Sequence, residues 1–186
     1  VHTEDFGWEN HRYESKHFRL AHVERYADGK IEVLHFTTFP HKWSPEPIFG
    51  FDVICTGKIV TGAYMDLSPI LDTYPFDEGM DIGGRKPIPE WATVFSDRFI
   101  MIKPESDEEF IRFCDWVVDK YDWYLNSLLW REKKTDEINV VIEKQNTYCR
   151  VQASNPRTYS ALKALIGEEK AKYFMENILF PKIDEA

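Results

Sequence analysis

Polar and apolar residues alternate along the first half of the chain and recur at helical spacing along the second. From His17 to Tyr26 every second residue (Phe18, Leu20, His22, Glu24, Tyr26) falls on one side of an extended segment, which predicts a strand. Ala27-Asp28-Gly29-Lys30 is a turn sequence, and Ile31 to Phe39 then forms the partner strand, with Val33, His35 and Thr37 sharing a face. Pro40 to Pro47 reads as a loop. Ile48 to Cys55 and Ile59 to Asp66 make a second hairpin around Thr56-Gly57-Lys58, and Ala92 to Lys103 is a further strand. Between them, Leu71 to Glu90 mixes glycine, proline and charge, as long functional loops do.

The second half is helical. Ser106-Asp107-Glu108-Glu109 is a capping box. Phe110, Phe113, Cys114, Val117, Val118, Tyr121, Tyr124, Leu125 and Leu128 follow it as one stripe. After a charged break at Arg131 to Glu137, the residues Ile138, Val141, Ile142, Gln145, Tyr148, Cys149 and Gln152 form a second stripe. Asn155-Pro156 opens a third helix that ends at Gly167, and Glu168 to Phe180 is a fourth, with Ala171, Phe174, Met175, Ile178 and Leu179 inward.

Strands joined by short turns and followed by helices predict an α+β fold with an antiparallel sheet. The strand from Ile48 is almost wholly apolar, which fits a sheet with helices on both faces. The 186 residues suit a single domain spanning the whole chain, and the start at Val1 suggests that part of the natural N-terminus is missing. A net charge of -9 argues against nucleic acid as a partner. No apolar run is long enough for a membrane span. Cys55, Cys114 and Cys149 have no metal-type spacing and read as reduced thiols of a cytoplasmic protein. Aromatic residues make up 15%, which suits either a bulky core or a pocket for a large flat ligand.

Asp52 is the residue that turns this pattern towards chemistry. It interrupts Ile48-Phe49-Gly50-Phe51-Asp52-Val53-Ile54, where a carboxylate is costly to ionise, so burial should raise its pKa and let it hold a proton near neutrality. Gly50 and Ile54 share its face, and Gly50 leaves room beside the carboxylate. His35, His22 and Glu24 lie on neighbouring strands at comparable depth, where register could bring them together. Structural roles are open to each: a hydrogen-bonded buried Asp, a satisfied core His, a surface Glu. The chain carries no zinc signature, P-loop, dinucleotide-binding glycine motif or nucleophile elbow. Redox chemistry in such a pocket would need electrons from outside the chain.

His35-Phe36-Thr37-Thr38-Phe39-Pro40, Pro47-Ile48-Phe49-Gly50-Phe51-Asp52 and Asp66-Leu67-Ser68-Pro69 resemble the ferredoxin-dependent bilin reductases. So do Phe18-Arg19 with His22-Val23-Glu24, Pro89-Glu90-Trp91 with Phe95-Ser96, and the ordered set Gln145, Tyr148-Cys149, Gln152, Asn155, Gly167-Glu168 and Tyr173-Phe174-Met175. The resemblance runs from about Trp8 to Phe180. It implies a three-layer α/β/α sandwich with a central antiparallel sheet and biliverdin IXα between the sheet and the C-terminal helices. Electrons would come singly from a reduced [2Fe-2S] ferredoxin and protons from the protein, with no tightly bound cofactor or metal. Asp52 falls on the family's central catalytic Asp. His35 and Glu24 fall on the His and Glu of the phycocyanobilin-forming branch. Lys86, and Arg157 from a helix start, would hold propionates.

Asn155 stands where most of the family has a second acid, and the charged linker before the second helix is short. The pattern is nearest the viral offshoot of the phycocyanobilin branch, which implies a phage or cyanobacterial setting. The implied product is phycoerythrobilin, by way of 15,16-dihydrobiliverdin. Glu24 points instead to phycocyanobilin, and a binding protein that carries the tetrapyrrole unchanged is the non-catalytic alternative. A monomer is expected, docking an acidic ferredoxin through basic residues among Arg12, Lys16, Arg19, Lys86 and Arg157.

Overall fold

A computed structural model describes residues 7–71, 86–88, 95–130 and 134–184. Among these residues six strands pair in chain order in one antiparallel sheet: β1 (Trp8–Tyr13), β2 (Phe18–Ala27), β3 (Ile31–Pro40), β4 (Ile48–Thr56), β5 (Ile59–Ser68) and β6 (Ile100–Ile102). Four helices follow: α1 (Asp107–Trp130), α2 (Ile138–Ala153), α3 (Pro156–Ile166) and α4 (Glu168–Phe174), the last continuing into a π-helical turn at Met175–Leu179. The architecture is the expected α+β sandwich. Among the described residues no helix is long and apolar enough to cross a membrane.

The turns follow from local chemistry. At the β2–β3 hairpin the Asp28 carboxylate accepts the backbone N–H groups of Lys30 (2.8 Å) and Ile31 (2.7 Å), while Gly29 takes a φ of 81° that side-chain-bearing residues avoid. At α1 the Ser106 hydroxyl accepts the Glu109 N–H at 3.2 Å. Glu109 reaches back one residue further than a standard capping box, to the N–H of Glu105 at 2.8 Å. Asn155 accepts the Arg157 N–H at 3.1 Å and caps α3, whose first residue is Pro156.

Two apolar clusters sandwich the sheet. Phe49, Phe51, Val53, Ala63, Met65 and Leu67 point to α1 and pack on Phe113, Trp116, Val117, Tyr124 and Leu128. Trp8, Leu20, Tyr26, Phe39 and Ile48 face the other helices and meet Val141, Cys149, Leu162, Phe174 and Leu179. β4 is therefore apolar at nearly every position because both of its faces are covered. Polar pegs fix the layers. The Tyr124 hydroxyl donates to the Pro47 carbonyl at 3.0 Å, and the Gln145 amide donates to that of Pro40 at 3.1 Å.

Several sequence expectations change. β1 was hidden by its polar run Glu9-Asn10-His11-Arg12; as an edge strand it pairs with β2 alone, and Trp8 is its only buried residue. A register shift between Phe18 and Leu20 turns Phe18 to the α1 cluster, away from the face it was expected to share with Leu20. Of the strand expected over Ala92 to Lys103, residues 92–94 lie outside the described residues, and among the rest only Ile100–Ile102 is a strand. Phe95 to Phe99 is irregular and held by turn contacts of Ser96, whose hydroxyl accepts the Arg98 N–H at 3.1 Å. Val118 and Ile138 are exposed, whereas Trp116 and Asn146 are buried, so each helical stripe is rotated slightly from its apolar sequence pattern. Most of the expected Leu71–Glu90 loop, with Gly83-Gly84-Arg85, lies outside the described residues, as do 131–133 of the charged break.

Phe49 is fully buried and packs at 4.8 Å from Tyr121 and 5.7 Å from Tyr124, ring centre to ring centre. Phe49→Ala should cost roughly 3–5 kcal/mol of unfolding free energy, measured by denaturant titration, since it removes an aromatic anchor of the α1 layer. A loss under about 1 kcal/mol would mean that layer repacks freely.

Candidate functional site

Antiparallel register places the chemistry. Directly opposed residues on adjacent strands point to the same face. Asn10 opposes Glu24, Glu24 opposes His35, His35 opposes Asp52 and Asp52 opposes Tyr64. One residue pair along, His22, Thr37, Gly50 and Asp66 form a parallel row. Both rows lie on the face away from α1. There the positions equivalent to Phe49, Phe51 and Val53 are Gly50, Asp52 and Ile54, which fill less space, and a cavity of ≈ 290 Å³ remains between sheet and helices. Glu24, His35, Thr37, Gly50, Asp52, Ile54, Tyr64 and Asp66 line it from the sheet. Tyr148, Gln152, Asn155, Arg157, Leu162 and Phe180 line it from the helical side.

The centre is a hydrogen-bonded chain. His35 Nδ1 donates to Asp52 Oδ1 at 2.7 Å, and Thr37 Oγ1 meets His35 Nε2 at 2.8 Å. Thr37 is itself fully buried, so the imidazole is held at both nitrogens. Asp52 is less deeply set than its apolar strand implied, with 31% of its side chain exposed towards the cavity against 13% for His35. Burial disfavours the charged imidazole, but the Asp52 carboxylate, its hydrogen bond and the more distant Glu24 outweigh it and raise the His35 pKa above 6.5. Glu24 is buried and accepts the Trp8 indole N–H at 2.6 Å. Burial raises its pKa above 4.5, against the opposing pull of His35 and the indole. Glu24 is thus a cavity carboxyl, not the surface residue its alternation also allowed.

The structure places the remaining expected residues as follows. His22 is fully buried behind the lining. It donates from Nε2 to Asn10 Oδ1 at 2.9 Å and its ring lies 5.9 Å from that of His35. Burial, then the positive neighbours His35, Arg12 and His11, lowers its pKa to about 3, so it stays neutral. Asn155 combines helix capping with a place on the cavity wall. Arg157 lines the mouth, whereas Lys86 lies off the lining and donates its backbone N–H to Met101 at 2.9 Å. Arg19 is not available for docking. Its guanidinium sits 4.6 Å over the Phe39 ring and donates to Gln145 Oε1 at 2.9 Å, tying β2 to α2. Among the described residues no group of three or more His, Cys, Asp or Glu could hold a metal ion.

Asp66, Tyr64, Trp8, Phe95, Phe99 and Tyr148 line the cavity although the sequence reading gave none of them a site role. The parity of β5 was the available signal for two of them, since Tyr64 and Asp66 alternate with Ala63, Met65 and Leu67. Asp66 is buried, which raises its pKa, and it accepts Ser68 Oγ at 2.6 Å, the Ser96 N–H at 3.1 Å and the Ser96 hydroxyl. These bonds pin the segment on which Phe95 stacks against Phe99 at 4.2 Å and Phe99 against Tyr64 at 6.0 Å.

Residues 2–181 match the family model described as ferredoxin-dependent bilin reductase. A phycocyanobilin:ferredoxin oxidoreductase of Prochlorococcus marinus is 30% identical over 95% of this chain and 76% of its own length. One from a Synechococcus species is 28% identical over 92% and 75% respectively. Two solved structures share the fold. Tomato phytochromobilin synthase in complex with biliverdin has a TM-score of 0.75 and 23% identity, over 93% of this chain and 69% of that one. The structure named PcyX has a TM-score of 0.71 and 24% identity, over 98% and 84%.

Because folding raises the His35 pKa, the stability it contributes is complete below 6.5 and is lost as pH rises through the folded value. Asp52→Asn removes the main charge that raises it and leaves the burial that lowers it. Imidazole titration by NMR should therefore show His35 titrating at lower pH in the variant. An unchanged His35 curve would mean that the two groups do not share a proton.

Proposed function

This chain belongs to the ferredoxin-dependent bilin reductase family, and on that premise we propose that it reduces biliverdin IXα to a phycobilin with protons drawn from Glu24, His35 and Asp52. It is an oxidoreductase acting on biliverdin. Ferredoxin supplies the electrons; reduction of two double bonds takes four electrons and four protons. A ferredoxin delivers one electron at a time, so the bilin passes through radical states that must be protonated between deliveries. The observation that carries this reading is the row Glu24–His35–Asp52, three ionisable side chains on opposed positions of three strands, all on one cavity wall.

Each member of the row has a part set by its surroundings. Asp52, the most open to the cavity, passes a proton from His35 on to the pigment. His35, bonded at 2.7 Å, replaces that proton. Thr37 keeps the imidazole turned so that Nδ1 faces the carboxylate. Glu24 remains protonated to higher pH than an ordinary carboxyl and serves a second position on the same pigment face. A carrier that leaves its ligand unchanged has no use for such a row.

The favoured product is phycoerythrobilin, by way of 15,16-dihydrobiliverdin. Asn155 on the helical wall supports it, because an amide cannot give the pigment a carboxylic proton from that side. Phycocyanobilin is the second reading, and the place of Glu24 inside the cavity favours it.

Anaerobic turnover of biliverdin with ferredoxin, ferredoxin reductase and NADPH, followed by absorbance and pigment chromatography, tests the whole proposal. Asp52→Asn should still bind biliverdin but turn over about 100-fold or more slowly, with a long-lived radical. Near-normal turnover would remove Asp52 from the mechanism. Asn155→Asp keeps the helix cap, since both residues cap well, and adds an acid to the helical wall. It should change the ratio of half-reduced intermediate to final phycobilin. Identical products at identical rates would confine Asn155 to capping.

A further inference from the structure

Tyr148 hangs from α2 towards β4. Its ring is held edge-on between Phe39, at 6.0 Å and 75°, and Phe180, at 6.3 Å and 74°. Its hydroxyl reaches the sheet where β4 has no side chain: a Cβ on Gly50 would meet the Tyr148 oxygen at 3.9 Å and no other neighbouring atom within 4 Å. The residue is half-buried and its hydroxyl opens on the cavity, where a bound group can take its hydrogen bond. Among the described residues none bonds the Tyr148 hydroxyl, although it stands on the cavity wall beside Gly50, Asp52, Asp66 and Gln152.

Charge narrows what the hydroxyl can meet. Burial, then the negative groups Asp66, Cys149 and Asp52, pushes the phenol well above its ordinary pKa of 10, so it keeps its proton and remains a donor. The same two carboxyls make this end of the cavity unfavourable for an anion. A propionate is better placed by Arg157 at the mouth. A neutral carbonyl oxygen can take the hydrogen bond without that repulsion. Biliverdin carries such oxygens on the lactams of its two terminal rings.

We propose that Tyr148 is a further substrate-binding residue, whose hydroxyl donates a hydrogen bond to a terminal-ring lactam carbonyl of the bilin and fixes where the pigment stops along β4. The inference rests on the bilin reductase reading. It gives Gly50 a role as well, since the missing side chain lets the hydroxyl and the pigment edge meet over the strand. It also sets the register of the pigment against Asp52, which lies two residues along the same face.

Tyr148→Phe tests it, because the variant keeps both ring contacts and deletes only a hydroxyl that no described protein group uses. The unfolding midpoint should stay where it is. Biliverdin affinity should fall roughly 3- to 10-fold, the loss of one neutral hydrogen bond. The infrared lactam carbonyl band of bound biliverdin should move to higher frequency. Biliverdin dimethyl ester, which has no propionate charge, should show the same loss between wild type and variant. Equal affinity and an unshifted band in Tyr148→Phe would overturn the inference while leaving the family reading intact. A loss that disappears with the dimethyl ester would overturn the lactam assignment by moving the bond to a propionate. Failure of the wild-type protein to bind biliverdin at all would overturn the family reading, and this inference with it.

Discussion

Strand register is the constraint on which the rest of the structure depends. Glu24, His35, Asp52 and Tyr64 meet because four antiparallel strands are aligned residue against residue, at the ~4.8 Å spacing of neighbouring strands. A slip of one residue in any strand would send its member of the row to the α1 side, into Phe113 and Trp116. The apolar partners on that side hold the alignment. Phe49, Phe51 and Val53 can be buried under α1 only if Gly50, Asp52 and Ile54 face the cavity. The stability of one face thereby enforces the geometry of the other.

The two faces divide the work. Aromatic and aliphatic side chains fill the α1 layer densely, and they supply the burial from which the sheet draws much of its stability. The opposite face carries five partly or wholly buried ionisable groups in or behind the cavity wall, an arrangement that costs stability unless each group is partnered. Each has a partner: His22 the Asn10 amide, Glu24 the Trp8 indole, His35 and Asp52 one another, with Thr37 on the imidazole's other nitrogen, and Asp66 the Ser68 and Ser96 hydroxyls. Burial at Glu24 and His22, and the Asp52 partner at His35, set the directions in which their pKa values move. Raised values at His35 and Glu24 and a lowered one at His22 put proton-bearing and proton-free groups within one small region.

The central hairpins, the four helices and the face shared by Asp52, Gly50 and Ile54 could all be read in the sequence, because period and turn chemistry specify them locally. The depth of individual groups could not. Asp52 sits in an apolar run because the neighbouring positions serve the opposite layer, and its own position opens on a cavity. Arg19 looked like a surface cation on a strand, but a register shift beside it and the Phe39 ring draw it inward to Gln145. Tyr148 looked like one more apolar stripe residue. Only the absence of a side chain at Gly50, across the interlayer space, gives its hydroxyl an outlet. Such facts depend on pairs of residues far apart in the chain.

The strand order has a kinetic side. Each strand pairs with its sequence neighbour, and β2 to β5 are joined by connections of only a few residues. Such contacts close small loops and are among the fastest long-strand pairings available to a chain. The row of ionisable groups is therefore assembled by the meander itself, before the helical layer needs to dock. α2 and α3 come late in this order, followed only by α4 and its π-helical turn, and they bring the wall that carries Tyr148, Asn155 and Arg157. During synthesis the half-built pocket would stand open to solvent until those helices leave the ribosome. A tetrapyrrole met at that stage could not be held from both sides, so pigment capture belongs to the completed chain.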